Sequence, residues 1–354
     1  MKNSILILLL LAFFSSFQMT LKSQVIKGNI SFKSVRIDTL FQDNISIRSV
    51  VIDENRIWYA GNNSRFGFFD MKTMLRNESK IINHSSKLEF RSMAQNDQNI
   101  FLLSIANPAF LYKVSKSTLE STLVYHEEHE KIFYDSMKFW NNKEGIAIGD
   151  PTENTFSIII TRDGGVTWNK IQAIKLPKLS DGEAAFAASN TNIVVRGNHM
   201  WVVSGGIKSR VFYSADKGKT WSIFETPIIQ GKSMTGIFSA DFYDAKNGFV
   251  SGGDYELPEQ NFGNKAITDD GGKTWNLVAE NVGFGFASCV QYVPNSKGKS
   301  LVSIGASGIY YSNDKGKTWT QLATDTTLYT LSFIDEDTAI AAGRNKLVRI
   351  QFLN

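Results

Sequence analysis

Few side chains in this 354-residue chain have the type and spacing to do chemistry. Two carboxylates held on one face can work as an acid and a base or nucleophile when their separation suits. Asp150 and Asp254 each follow an apolar segment that ends in small residues, Gly145-Ile-Ala-Ile-Gly149 and Gly248-Phe-Val-Ser-Gly-Gly253. Arg91 and Tyr255 are the groups to examine beside them, because a guanidinium can hold a carboxylate through two parallel hydrogen bonds. His126-Glu-Glu-His129 offers an i, i+3 histidine pair, but no third ligand accompanies it, so a polar loop and no metal is expected. His84 and His199 are isolated. Cys289, the single cysteine, excludes an intramolecular disulfide. It sits in the apolar run Ala287–Gln291, where a buried small hydrophobe is expected rather than a nucleophile. No Gly-x-Gly-x-x-Gly opens a helix, so no nicotinamide or flavin cofactor is implied.

Charge adds little. The formal net charge is +4, and two of the lysines, Lys2 and Lys22, fall in a leader, which leaves about +2. That balance carries no footprint for nucleic acid, and Lys217-Gly-Lys219 lacks the aromatic interleaving that single strands stack on. Residues 1–23 read as a secretory signal peptide: Lys2 supplies a positive start, Ile5–Phe14 is an unbroken apolar run, and polar residues follow. Ten apolar residues make a helix of about 15 Å, half a hydrocarbon core, so no stable membrane span is expected. The mature protein is then exported, to a periplasm or the extracellular space.

The elements that must position any site follow from a repeat. Thr161–Trp168 reads TRDGGVTW, Ser214–Trp221 SADKGKTW, Thr268–Trp275 TDDGGKTW and Ser312–Trp319 SNDKGKTW. The common form is [ST]-x-D-x-G-x-T-W, and the tryptophans recur every 44 to 54 residues, the period of a four-stranded unit. Asp163, Asp216, Asp270 and Asp314 can accept backbone N–H groups and close a turn. Gly165, Gly218, Gly272 and Gly316 suit a positive φ. Thr167, Thr220, Thr274 and Thr318 can pin the returning strand. Trp168, Trp221, Trp275 and Trp319 would bury a ring between units with the indole N–H at the wet edge. Upstream of the boxes, apolar strands ending in small residues recur seven times, from Trp58-Tyr-Ala-Gly61 to Ala339-Ile-Ala-Ala-Gly343.

This predicts an all-β fold: one domain over residues 24–354, a seven-bladed β-propeller of four-stranded antiparallel blades. The blades are expected at roughly 46–76, 88–125, 132–172, 183–227, 235–280, 284–323 and 328–352. Ser34–Leu40 alternates like a strand and would complete the last blade, closing the ring and covering two sheet edges. Blades one and two lack the box, and Asp70–Thr73 and Ser115–Thr118 would serve as less regular turns.

The boxes resemble the Asp-box, or BNR, repeats of sialidases, sortilin-type receptors and other propellers. The whole mature chain is most similar to the photosystem II stability/assembly-factor-like propellers, as in Phe133-Tyr-Asp-Ser-Met-Lys-Phe139 followed by Gly145-Ile-Ala-Ile-Gly149 and a box. That resemblance implies box turns on the face opposite the usual binding site. Loops entering each innermost strand, with those joining strands two and three, would converge on the channel mouth. In register they bring Arg48, Arg91, Asp135, Glu183, Ser288 and Tyr329 from the first set and Arg65, Asp150, Asp254, Tyr255 and Arg344 from the second. Gly253–Asn264 would form a rim or lid, and Asp181–Asn190 would drape over the mouth. Two functions follow. The favoured one is a non-catalytic scaffold, monomeric, without cofactor or metal, that binds a protein or peptide. The alternative is a sialidase-like glycoside hydrolase acting on glycans through Arg91, Asp150, Asp254 and Tyr255. Against it, the Arg-Ile-Pro segment of sialidases is absent, and seven blades depart from the six of that family.

Overall fold

The structure, a computed structural model, describes residues 31–82 and 87–354. The expected leader and His84 lie outside the described residues. In chain order the strands begin with β1 (Ser34–Asp53), β2 (Arg56–Gly61), β3 (Arg65–Asp70) and β4 (Leu75–Lys80). Next come β5 (Phe90–Gln95), β6 (Asn99–Ser104), β7 (Ala109–Ser115) and β8 (Ser121–Glu127). The third group is β9 (Tyr134–Phe139), β10 (Gly145–Pro151), β11 (Phe156–Thr161) and β12 (Asn169–Lys170). After a short 3₁₀ turn the chain forms β13 (Glu183–Ala184), β14 (Ile193–Arg196), β15 (His199–Val203), β16 (Gly205–Gly206), β17 (Arg210–Ser214) and β18 (Ser222–Glu225). Then follow β19 (Thr235–Phe242), β20 (Gly248–Asp254), β21 (Lys265–Thr268) and β22 (Asn276–Leu277). The chain finishes with β23 (Ala287–Tyr292), β24 (Leu301–Gly305), β25 (Gly308–Ser312), β26 (Thr320–Ala323), β27 (Leu328–Phe333) and β28 (Thr338–Leu353).

All strand pairings between these elements are antiparallel, and the fold is an all-β propeller of four-stranded units. The hydrogen-bonded sheets number six among the described residues, not the expected seven separate ones. Four have four strands, in the orders β5-β6-β7-β8, β9-β10-β11-β12, β14-β15-β17-β18 and β23-β24-β25-β26. Two have six: β27-β28-β1-β2-β3-β4 and β13-β16-β19-β20-β21-β22. The physical reason is bridging. β1 runs uninterrupted for 20 residues; Ser34–Ser46 pairs with β28, and Ile47–Asp53 pairs with β2. In the other case Gly205 of β16 pairs with Gly236 of β19. A Cβ on Gly236 would lie 2.3 Å from the Gly205 Cα, so this bridge requires glycine.

Inner and middle strands are buried on both faces and read as nearly continuous apolar runs, as in Phe156–Thr161, where all six residues are buried. Outer strands such as β4 and β12 are polar and mostly exposed. The core fills the gaps between sheets: Phe101, Leu103 and Leu111 meet Tyr134, Met137, Ile159 and Trp168, and Ile146, Ile148 and Ile158 meet Met200, Val202 and Phe212.

Each box is a hydrogen-bonded turn. In the first, Asp163 Oδ1 accepts the Val166 and Thr167 N–H groups at 3.0 Å, and Oδ2 accepts the Thr167 hydroxyl at 2.7 Å. The Thr161 hydroxyl donates to Asp163 and accepts the Gly165 N–H. The same set recurs at Asp216, Asp270 and Asp314. Burial alone would raise these carboxyls, but the donors win and hold Asp163, Asp216 and Asp270 down to about 2. The indoles depart from expectation. Instead of facing a wet edge, Trp221, Trp275 and Trp319 donate to the carbonyl of their own box glycine at 3.2, 2.9 and 2.9 Å. The box-less turns are simpler: Asp70 Oδ1 accepts the Lys72 and Thr73 N–H groups, and Ser115 Oγ accepts that of Thr118.

Candidate functional site at the channel mouth

Six inner strands share one local distortion. The register shifts by one residue at Arg48 of β1, Arg91 of β5, Asp135 of β9, Phe238 of β19, Ser288 of β23 and Tyr329 of β27. A β-bulge leaves its extra residue out of the ladder and re-aims that side chain. Each bulge lies between an apolar residue and a small polar one: Ile47-Arg-Ser49, Phe90-Arg-Ser92, Tyr134-Asp-Ser136, Ile237-Phe-Ser239, Ala287-Ser-Cys289 and Leu328-Tyr-Thr330.

The small polar residues surround a segment that crosses the centre. Asn190 accepts the Met137 N–H at 2.9 Å and donates to the Met93 carbonyl at 2.8 Å and the Ser49 hydroxyl at 3.0 Å. Ser189 donates to the Ser288 carbonyl, Thr191 meets Ser239, and the Thr330 hydroxyl donates to the Ser189 carbonyl. Residues 188–191 therefore touch β1, β5, β9, β19, β23 and β27. The last residues of the segment expected to drape over the mouth instead form a plug among these inner strands.

Above the plug the bulge residues gather. The Arg48 guanidinium donates to the Ala188 carbonyl at 3.1 Å and lies 4.2 Å from the Tyr329 ring centroid. Burial and the like charge of Arg91 lower its proton affinity, while Tyr329 and Tyr255 oppose them. Arg91 pairs with Glu89 at 2.7 Å and approaches the Phe133 ring. Arg344 donates to the Tyr329 hydroxyl at 3.4 Å. Asp135 is 0% exposed and neither carboxylate oxygen has a partner. Burial, reinforced by Asp150, pushes its carboxyl well above the usual range despite Arg91. Asp150 is raised to about 6 by burial, although its Oδ1 accepts the Ala185 N–H at 3.0 Å. On the other side stands an aromatic shelf. Phe186 stacks on Phe238 at 3.9 Å, Phe286 meets Phe238 edge-on at 4.7 Å, and Tyr255 meets Phe286 at 5.2 Å while staying 53% exposed.

The mouth thus unites Arg48, Arg91, Asp135, Asp150, Tyr255, Tyr329 and Arg344 of the expected residues, with Ser288 beneath them. Three others do different work. Arg65 is tied to Asp43 and Glu78, in a network with Arg76 that joins β1 to β3 and β4. Glu183 is not at the head of an innermost strand: that strand is β14, ten residues on. The Glu183 carboxylate is spent on Arg210, the Ser204 hydroxyl at 2.6 Å and the Ser180 N–H. Asp254 is buried, accepts the Glu256 N–H at 2.9 Å and faces Lys232 at 3.6 Å. Phe238, Phe186 and Phe286 were missed; the apolar–X–small spacing would have found Phe238. The Gly253–Asn264 loop, expected as a rim or lid, is tied down by the Phe286 N–H donating to the Pro258 carbonyl at 2.8 Å.

Other candidate groups are occupied. His126 meets Glu128, and His129 accepts the Lys131 N–H. No group of three or more His, Cys, Asp or Glu among the described residues is placed to hold a metal. Cys289 is buried, and burial pushes its thiol up to about 11. No helix among the described residues is long and apolar enough to cross a membrane.

Comparison with known proteins supports the fold. The BNR/Asp-box repeat family matches over residues 266–277. Among curated proteins, none matches. Of solved structures, YCF48 bound to a D1 peptide superposes with a TM-score of 0.65 at 14% identity, over 92% of this chain and 98% of that one. YCF48 from Cyanidioschyzon merolae gives 0.63 at 10% identity, over 90% and 98%. A GH74 xyloglucanase from Xanthomonas campestris gives 0.66 at 12% identity, over 90% of this chain but 54% of that chain. At such identities the likeness is one of fold.

Proposed function

We propose that the protein is a non-catalytic binding scaffold whose channel mouth takes a protein or peptide partner. The observation that carries this is the composition of the mouth: an aromatic shelf ending in the exposed Tyr255, beside Arg48, Arg91 and Arg344. Aromatic residues and arginines are the groups that dominate protein recognition. One solved propeller of similar fold, YCF48, was determined with a peptide bound. The hydrolase alternative asks for a working carboxylate pair, and the xyloglucanase likeness keeps that chemistry compatible with the fold. However, Asp254 is engaged by the Glu256 N–H and Lys232, and the carboxyl that interacts with Asp150 is Asp135, which is fully buried.

Two further elements belong to this proposal. The chain is taken to close as seven blades: β1 is shared between a unit with β27 and β28 and a unit with β2, β3 and β4, which counts the first six-stranded sheet as two. The protein is taken to work outside the cytoplasm, on the strength of the apolar run Ile5–Phe14 behind Lys2, and as a monomer.

A photo-crosslinking side chain at position 255, and another at Lys219 in a box turn, tests the proposal in cells. Adducts specific to 255 are expected. Adducts only at 219, or glycan hydrolysis abolished by Asp150→Asn, would overturn it.

A further inference from the structure

The inner strands begin at the mouth and end at the opposite opening, and that opening holds a cavity of about 270 Å³. Its polar lining has a register of its own. Two residues beyond the small polar positions Ser136, Ser239, Cys289 and Thr330 come Lys138, Asp241, Gln291 and Ser332, all of which line the cavity. Thr191, the lower end of the plug, roofs it, and Val194, Val195 and Phe333 supply apolar wall.

The charges do not balance. Asp241 is satisfied: Oδ1 accepts Arg196 and the Phe242 N–H, both at 2.9 Å, and Oδ2 accepts the Tyr292 N–H at 2.8 Å. Arg196 answers Asp241, and the buried Cys289 thiol stays neutral at ordinary pH. One cation remains. Lys138 Nζ makes no hydrogen bond or ion pair among the described residues, and neither the Gln291 amide nor the Ser332 hydroxyl has a side-chain partner. Burial pushes the Lys138 amine down from its usual value; Cys289 and Asp241 oppose the shift, and the like charge of Arg196 adds to it. Lys138 is half-buried at the cavity wall, and its unpaired ammonium there leaves a positive charge that an anion in the cavity can answer.

We propose that this cavity is a binding site for a small oxyanion, of phosphate or carboxylate type, held by the Lys138 ammonium with the Gln291 amide and Ser332 hydroxyl as further donors. Its volume admits an ion of that size with room for water. Access is from the opening opposite the partner-binding mouth, with the plug between them, so the site is independent of the function proposed above.

The test titrates inorganic phosphate, and separately malonate, into the protein at constant ionic strength and neutral pH, read by backbone and side-chain amide shifts. Saturable shifts at Gln291 and Ser332 are expected with at least one probe. Lys138→Met should weaken that binding by roughly tenfold or more, the loss of a charge-assisted contact. Lys138→Arg should bind within a few-fold of wild type, and the exposed Lys131→Met should bind unchanged. If Lys138→Met does not fold, the double variant Gln291→Leu/Ser332→Ala, with Lys138 intact, is expected to show the same direction of loss. No saturable binding of either probe, or wild-type affinity in Lys138→Met or in the double variant, overturns the proposal.

Discussion

Replacing Asn190 with alanine would test the central plug. Its side chain serves three sheets: the Met137 N–H, the Met93 carbonyl and the Ser49 hydroxyl all bond to it, and Asn190 itself is buried. Asn190→Ala leaves at least one buried donor and one buried acceptor without partners, each costing about 1–3 kcal/mol. The backbone adds to this. Asn190 has φ +61°, a conformation asparagine tolerates and alanine adopts at a cost of about 1–2 kcal/mol. The expected loss is therefore about 3–8 kcal/mol, a large share of the roughly 5–15 kcal/mol that holds a domain together. Asn190→Gly removes the backbone cost but not the missing bonds, and should be the less damaged of the two by about 1 kcal/mol. Urea unfolding followed by fluorescence measures both as midpoint shifts at unchanged slope. A loss under about 1 kcal/mol in Asn190→Ala would mean that the sheets do not depend on this side chain, and a glycine variant worse than the alanine one would refute the backbone cost at positive φ.

Three other outcomes follow from the geometry. Gly316 and Gly218 have φ of +81° and +83°, but a Cβ on Gly316 would stand 2.3 Å from the Phe249 ring whereas one on Gly218 meets nothing closer than 3.5 Å. Gly218→Ala should cost about 1–2 kcal/mol and Gly316→Ala about 2–5 kcal/mol in urea unfolding; equal losses would rule out the clash. Asp150 binds its proton more tightly folded than unfolded, with a folded value of about 6, so its ionisation destabilises the fold progressively from about pH 4 to pH 6. Asp150→Asn should accordingly gain on wild type across that window, by about 2–3 kcal/mol, then hold the advantage above it, as melting at a series of pH values would show. Trp275 is buried and Trp221 only partly so; Trp275→Ala should lose about 3–5 kcal/mol by calorimetry and Trp221→Ala less.

The repeat was legible because its chemistry is local. Every contact inside a box spans four residues or fewer, so Thr161, Asp163, Gly165 and Thr167 announce their turn without any tertiary information. The mouth was partly legible for a related reason. Arg48, Arg91, Asp135, Ser288 and Tyr329 occupy one position in a strand pattern that repeats, so aligning the copies aligned the site. The fourth copy broke that logic. Glu183 falls where the period puts an inner strand, yet the chain goes to Ser189, Asn190 and Thr191 first, and the partners of those residues lie 48 to 141 positions away. No local pattern reports such contacts. Arg65 misled for another reason: a lone arginine between strands looks the same whether it faces a ligand or, as here, Asp43 and Glu78. The sheet count differed because hydrogen bonding continues through β1 and across the Gly205–Gly236 bridge, which spacing alone does not reveal.

The most direct measurement is the affinity of a partner recovered by crosslinking at position 255 for four variants with intact stability. Tyr255→Ala, Arg344→Ala and Arg91→Ala remove groups from the mouth whose structural ties are an edge contact, a 3.4 Å hydrogen bond and a half-exposed ion pair worth about 1 kcal/mol or less. Lys219→Ala changes only an exposed box turn. The scaffold account predicts that each mouth variant weakens binding, roughly tenfold for the strongest, while Lys219→Ala binds as wild type. Wild-type affinity in all three mouth variants, or a loss confined to Lys219→Ala, would contradict it.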